Sequence, residues 1–270
     1  IAEKYGAEIS YTEHVKTSDM EEMFSNYANQ GYGVIFGHGF EFSDAAKKVA
    51  EQFPDTKFVV TSSDVSNGKN MAAINVKTIE EGFIAGATAA LLTKTNVVGA
   101  LGGMEIPPIV NAVAGFELGA KYINPDIKVL TGFTGSFEDA AKMKEMMTAY
   151  IQQGVDVGMA DADQSGLGGI EALKAAGVTA IGINNDQSSI APENIPLSSC
   201  QSYPFAMTYL YNEILEGRYE GKAYNMGVKE GAVYVIYNDS YDLPAEARAK
   251  IDEIVKDIAD GKIDVGALKK

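Results

Sequence analysis

The segment Gly182-Ile183-Asn184-Asn185-Asp186-Gln187 closes an apolar run, Ala180–Ile183, with four polar side chains in succession. In an alternating α/β chain, ligands sit beyond the carboxyl ends of the strands. Amides and a carboxylate at such an end donate and accept hydrogen bonds, and none of them is a nucleophile. Four other segments follow apolar runs in the same way. Gly37-His38-Gly39-Phe40 has glycines that let backbone N–H groups approach a ligand and a histidine that can donate; it equally fits a plain βα turn. Gly102-Gly103-Met104-Glu105, followed by Ile106-Pro107-Pro108, sets flexible backbone beside rigid backbone, as either a ligand-facing hinge or an ordinary loop. Thr134-Gly135-Ser136-Phe137-Glu138-Asp139 offers Phe137 for stacking on a flat ligand or for the core, with Ser136 as a helix cap and Asp139 three residues on. Asp161-Ala162-Asp163-Gln164-Ser165-Gly166 opens like a calcium loop, but Ala172 stands where that loop needs Glu. A helix cap with Asp163 and Gln164 as ligand acceptors fits better.

Other chemistries lack their residues. A single cysteine, Cys200, permits no intrachain disulfide, Cys-based zinc site or CxxC motif, and His14 and His38 are too few for a histidine-rich metal site. No GxSxG elbow, HExxH, P-loop or GxGxxG fingerprint is present. The reading is therefore of a binding protein, not an enzyme, with no cofactor and no metal. A net charge of −15 disfavours nucleic acid and adhesion of the globular body to an anionic membrane surface. No run approaches the length of a membrane span. With 46% hydrophobic residues, the chain can build a packed core.

The elements that must position these residues alternate. Strands are expected over 8–14, 33–37, 57–61, 71–76, 96–101, 128–133, 155–160, 179–183 and 197–201. Helices are expected over 18–30, 42–53, 79–93, 108–123, 137–153, 165–176 and 204–215. Alternation of this kind predicts parallel sheets with crossover helices. Gly31, Gly154 and Gly177 each sit where a helix hands over to a strand, the position that favours a left-handed residue. The repeated helix–Gly–strand pattern predicts two doubly wound halves. After Tyr219, residues 223–237 read as extended pairs around the turn Lys229-Glu230-Gly231, followed by a terminal helix over 244–259. Ile1–Gly6 reads as the last turns of a helix.

Several segments together resemble one family. They are GHGFEFSDAAKKVAEQFPDTKFVVT, EEGFIAGATAALLTKT, VVGALGGMEIPPIVNAVAGFELGAKYINPDIKV, TGSFEDAAKMKE, SGLGGIEALKAAGV, GINNDQ and GVKEG. The chain resembles the basic membrane protein family of ABC-transporter substrate-binding lipoproteins, purine-nucleoside-binding type. The resemblance implies an α/β, type I periplasmic-binding-protein fold: two doubly wound parallel-sheet lobes joined by a three-crossing hinge, with ligand held in the cleft. The lobes are expected at 1–104 plus about 187–218, and 105–186 plus about 219–270. The implied partners are a small-molecule ligand, a purine nucleoside or base, and a transporter permease. The implied location is extracytoplasmic, with a lipid anchor. The first strand, an acidic loop and the lipidated cysteine of that family have no counterpart after Ile1, so the first sheet is expected to have an unfilled central strand position. Residue by residue, the resemblance points to Phe137 as the base-stacking aromatic. Asn184 stands where the family's GxDxDQ motif has its first Asp, and Asp186 keeps the second. The family's later Lys falls near Ser202, beside Gln201 and Cys200. Asp163 could accept from an exocyclic amino group. The expected contacts are thus Phe137, Asn184, Asp186, Asp163, Gln164, His38, Gly39, Phe40, Gly103, Met104 and Gln201. Binding of a sugar or other small polar solute, and an effector-binding sensor domain, remain open on the same fold.

Overall fold

A computed structural model describes residues 2–269. The chain forms two compact units and passes between them three times. The first unit runs to Val76 and contains α1 (Ala2–Tyr5), α2 (Met20–Asn29), β1 (Val34–Gly37), α3 (Ser43–Ala50), β2 (Lys57–Thr61) and β3 (Met71–Val76). The second unit takes Lys77–Ser202. It contains α4 (Thr78–Leu92), β4 (Val97–Gly102), α5 (Pro107–Ile123), β5 (Lys128–Phe133), α6 (Ala140–Gln152), β6 (Val157–Asp161), α7 (Asp163–Ala175), β7 (Thr179–Asn184) and β8 (Leu197–Gln201). Tyr203–Met226 returns to the first unit with α8 (Tyr203–Leu215) and β9 (Ala223–Met226). From Gly227 the chain is in the second unit again, with β10 (Val233–Tyr237), α9 (Ala245–Ala259) and α10 (Val265–Leu268).

In the first unit the sheet order is β1-β2-β3-β9, and every pairing is parallel. Strands β2 and β3 are buried almost throughout, as parallel strands covered on both faces must be. Phe24 of α2 packs edge-on against Phe42 and Phe58, with ring centroids 5.8 Å apart in each pair. Buried Asn70 ties the loop after α3 by placing Nδ2 within 3.0 Å of the carbonyls of Ala50, Phe53 and Thr56.

The expected strand over 8–14 does not form. The alternation of Ile9 and Tyr11 suits a strand, but a strand exists only where its backbone finds a ladder partner. Here Ile9 is 64% and Tyr11 78% exposed. Among the described residues β1 pairs only with β2, and no strand pairs with its other edge. Residues 7–15 and the β1 segment both line a groove of about 1310 Å³, with Met20, Phe24 and Tyr27 among its apolar walls.

The second unit has the sheet order β10-β8-β7-β6-β4-β5. All pairings are parallel except that of β10, which runs antiparallel to β8. The expected pairing within 223–237 is therefore corrected. β9 and β10 do not pair with each other; each finds a partner in a different sheet, because the turn at Gly227–Gly231 carries the chain from one unit to the other.

Helix α4 is buried on nearly every side in its first three turns, and it meets α5 backbone to backbone. A Cβ added at Gly82 or Gly86 would lie 1.9 Å from the carbonyl oxygen of Ala112 or Phe116, respectively. From the other side, a Cβ at Gly115 would lie 2.2 Å from the Ile79 oxygen, and one at Gly119 1.9 Å from that of Phe83. Only glycine permits an approach this close. The seam fixes where the first turn of α4 sits, and that turn carries Glu81.

Candidate functional site

The carboxyl end of the second unit's sheet gathers polar side chains from four elements. Asn184, the last residue of β7, has φ +68°, a left-handed conformation that Asn tolerates better than most side chains. Its backbone N–H and both ends of its side-chain amide are engaged. Its backbone N–H donates to Glu81 Oε1 at 2.8 Å. Its Nδ2 donates to Asp161 Oδ1 at 2.8 Å, and its Oδ1 accepts from Gln201 Nε2 at 2.5 Å. Glu81 comes from α4, Asp161 from the end of β6 and Gln201 from the end of β8.

The surroundings brace these ends. Gln187 folds back so that its Oε1 accepts from Ile183 N at 3.0 Å, while its own N–H donates to Ser198 Oγ at 3.0 Å. Ser199 Oγ donates to the Glu81 carbonyl at 2.9 Å. Gly103 N–H donates to the Asp161 carbonyl at 2.9 Å. Phe137 lies over Gly103 so closely that a Cβ there would be 2.7 Å from the ring. Gly103, Asp161 and Asn184 thus form a continuous run of contacts from the aromatic ring to the amides.

Two carboxyls in this cluster are sealed from water: Glu81 is 0% and Asp161 1% exposed. Burial holds the Glu81 carboxyl well above its usual range; the nearby Asp161 pushes the same way, and the Asn184 N–H pulls against both. Burial also raises Asp161, to about 6, against the pull of the Asn184 amide and with Asp163 adding to the rise. Glu80, the neighbour of Glu81, meets a different fate. It forms an ion pair with Lys77 at 3.1 Å and accepts from Val228 N at 2.8 Å. Among the described residues, two buried side-chain oxygens find no hydrogen-bond partner: Glu81 Oε2 and Gln201 Oε1. The thiol of Cys200, buried on β8, is pushed up to about 12 by burial, helped by Glu81 and Asp186.

Of the residues expected from sequence, Asn184 and Gln201 are in direct contact, and Gly103 and Phe137 join them through Asp161. Asp163 and Gln164 start α7 with exposed side chains. Met104 is 43% exposed after β4. Asp186 is exposed and accepts from Ser188 N at 3.0 Å. Ser136 accepts from Glu138 N and Asp139 N but does not cap the helix; α6 starts later, capped by Asp139, which accepts from Lys142 N at 2.9 Å.

His38, Gly39 and Phe40 belong to the first unit, at the carboxyl end of β1. His38 Nδ1 and Gly39 N lie 2.7 and 3.1 Å from Thr61 Oγ1, and the His38 ring meets Tyr203 edge-on at 5.2 Å. Phe40 is 44% exposed.

Sequence reasoning passed over Glu81 and the buried state of Asp161. A signal for Glu81 was present. It stands at the head of Gly82-Phe83-Ile84-Ala85-Gly86-Ala87, a run with no polar face, so a helix there must bury its first-turn acids.

Among the described residues, no group of three or more His, Cys, Asp or Glu side chains could hold a metal ion, and no helix is long and apolar enough to cross a membrane.

A family model described as "ABC transporter substrate-binding protein PnrA-like" matches residues 1–269. Basic membrane protein A1 of Borrelia garinii is 34% identical over 257 residues, 91% of this chain and 74% of that protein. The ABC transporter nucleoside-binding protein BmpA of Lactococcus lactis is 29% identical, over 97% of this chain and 79% of its own length. A purine-binding protein of Brucella abortus is 27% identical, over 97% and 75%. Among solved structures, a transcriptional activator of the comK gene from Bacillus halodurans superposes with a TM-score of 0.83 at 24% identity, covering 92% of this chain and 86% of that one. An ABC transporter solute-binding protein from Aeropyrum pernix gives 0.81 at 22% identity, covering 97% and 85%. The structural likenesses carry the fold: two sheets of mainly parallel strands in the type I periplasmic-binding-protein arrangement.

Proposed function

Because the chain belongs to the PnrA-like family of ABC transporter substrate-binding proteins, we propose that it captures a purine nucleoside or nucleobase for an importer and catalyses no reaction on it. Substrate-binding proteins of such importers work outside the cytoplasm and hand their solute to a membrane permease, and the same role is inferred here. The observation that carries the ligand class is the strand-end cluster of the second unit. It pairs an aromatic ring, Phe137, with anchored amides at Asn184 and Gln201 and with exposed acceptors at Asp163 and Gln164. A flat heterocycle needs this combination: a ring to stack on and fixed polar groups to read its edge. The printed names of two relatives, one nucleoside-binding and one purine-binding, support the same class.

The proposed roles are specific. Phe137 stacks on the base, Asp163 accepts from an exocyclic amino group, and Gln164, Asp186 and Met104 flank the ring. Asn184 carries no charge where an ion–dipole contact to a ribose hydroxyl would favour a carboxylate, so bases are expected to compete well with nucleosides. Micromolar binding, about −8 kcal/mol, is within reach of such a site. The test is calorimetry and thermal shift with adenosine, guanosine, inosine, their free bases, D-ribose and D-galactose. A rise in Tm with a sugar and with no purine overturns the reading. Release of free base from a nucleoside incubated with the protein would overturn the non-catalytic part of it.

A further inference from the structure

Glu81 is a buried acid with one oxygen committed and one idle. Its Oε1 accepts the Asn184 N–H, and its Oε2 touches no donor or acceptor. Among the described residues no lysine or arginine bonds to it, whereas Lys77 is spent on Glu80. The titratable groups around it are Asp161 from β6, with Asp163 beyond it at the head of α7, and Cys200 on β8, with Tyr234 on β10 and Asp186 after β7 acting on the same cluster. An isolated acid in this position is costly to keep, so its retention calls for an explanation. The geometry supplies one. Asn184 is the residue whose left-handed backbone turns the end of β7, and its N–H is taken up by Glu81. The backbone that presents Glu81 cannot drift away, because Gly82 and Gly86 set α4 directly against α5.

We propose that Glu81 is a positioning residue of the solute site: it fixes the backbone of Asn184 and, through the Asn184 side chain, the amide of Gln201. The proposal rests on the solute-binding reading above. Glu81 touches no solute itself. It sets the direction in which the Asn184–Gln201 pair presents its remaining hydrogen-bonding capacity, of which Gln201 Oε1 is an unpartnered part. Burial and the nearby Asp161 both push the Glu81 carboxyl towards its neutral form.

The test has two independent readouts. The first uses solute-free protein with ¹⁵N-labelled asparagine and follows hydrogen exchange of the amide of residue 184 by NMR. In the wild type and in Glu81→Gln, which keeps an acceptor oxygen, this amide is protected; in Glu81→Leu, which has none, it exchanges at least about tenfold faster. The second is calorimetry with adenosine. Kd is expected to weaken more than about tenfold in Glu81→Leu and to be restored to within about threefold of the wild type in Glu81→Gln. Circular dichroism reports whether Glu81→Leu folds; if it does not, Glu81→Gln decides alone, because any loss of protection at 184 and any loss of affinity must then move together. An amide at 184 equally protected in wild type and folded Glu81→Leu overturns the proposal, as does an unchanged Kd in folded Glu81→Leu. If the wild type binds no purine, the ligand reading fails, and the exchange measurement still decides the role of Glu81.

Discussion

Replacing Asp161 with Asn should stabilise the protein at neutral pH and leave it unchanged in acid. The carboxyl titrates at 3.8 in an open chain and at about 6 in its buried site. It binds its proton more tightly when folded, so its favourable contribution is complete below pH 3.8 and is lost as the pH rises through about 6. At about 1.4 kcal/mol per pH unit, keeping Asp161 ionised costs the fold about 3 kcal/mol at pH 7.5. Asn has the shape of the neutral acid, and its Oδ1 can still accept from Asn184 Nδ2. Some of the gain is returned because that bond is stronger to a carboxylate, leaving about 2 kcal/mol net. For a unit of this size the gain appears as a rise in Tm of about 4–8 °C at pH 7.5 and of about zero at pH 3.5. The assay is scanning calorimetry of solute-free wild type and Asp161→Asn across that range, taking the difference at each pH so that the other carboxyls cancel. An equal difference at both ends, or a less stable variant at pH 7.5, would refute the assignment of a buried, proton-hungry Asp161.

Three further outcomes follow from contacts described above. Gly86→Ala drives a methyl into the Phe116 carbonyl, with both backbones unable to yield, and should cost at least about 3 kcal/mol in urea unfolding of the second unit. Thr61→Val keeps the volume but leaves the Gly39 N–H and His38 Nδ1 without their oxygen, and should destabilise the first unit by about 1–2 kcal/mol with no change in the second unit's transition. Cys200, sealed on β8 with its thiol pushed up to about 12, should resist a thiol-alkylating reagent at pH 8 in the native state and react fully after denaturation.

Much of the fold was legible because it is local. The periodicities of 2.0 and 3.6 residues alternate cleanly from β1 to β8, and Lys128–Phe133 and Met71–Val76 are strands with the bounds the sequence suggests. The polar end of β7 was legible for the same reason, since a strand that stops in amides announces itself. The segment 8–14 was misread because alternation records only which face is apolar, not whether a neighbouring backbone is there to bond. β9 and β10 were misread as partners because adjacency in sequence says nothing about two sheets in different units. Glu81 escaped notice because it lies over a hundred residues from Asn184, and a carboxylate at a helix start ordinarily serves the helix dipole in water. Its burial follows from the α4–α5 seam, a property of four glycines that no single segment displays.

That seam has a consequence for how the second unit opens. No layer of side chains lies between α4 and α5 to loosen first, so neither helix can part from its neighbour by degrees. The amide protons of Gly82–Ala89 and Ala112–Ala120 should therefore exchange with deuterium through one shared opening, at one free energy, while the outer turns of both helices exchange sooner.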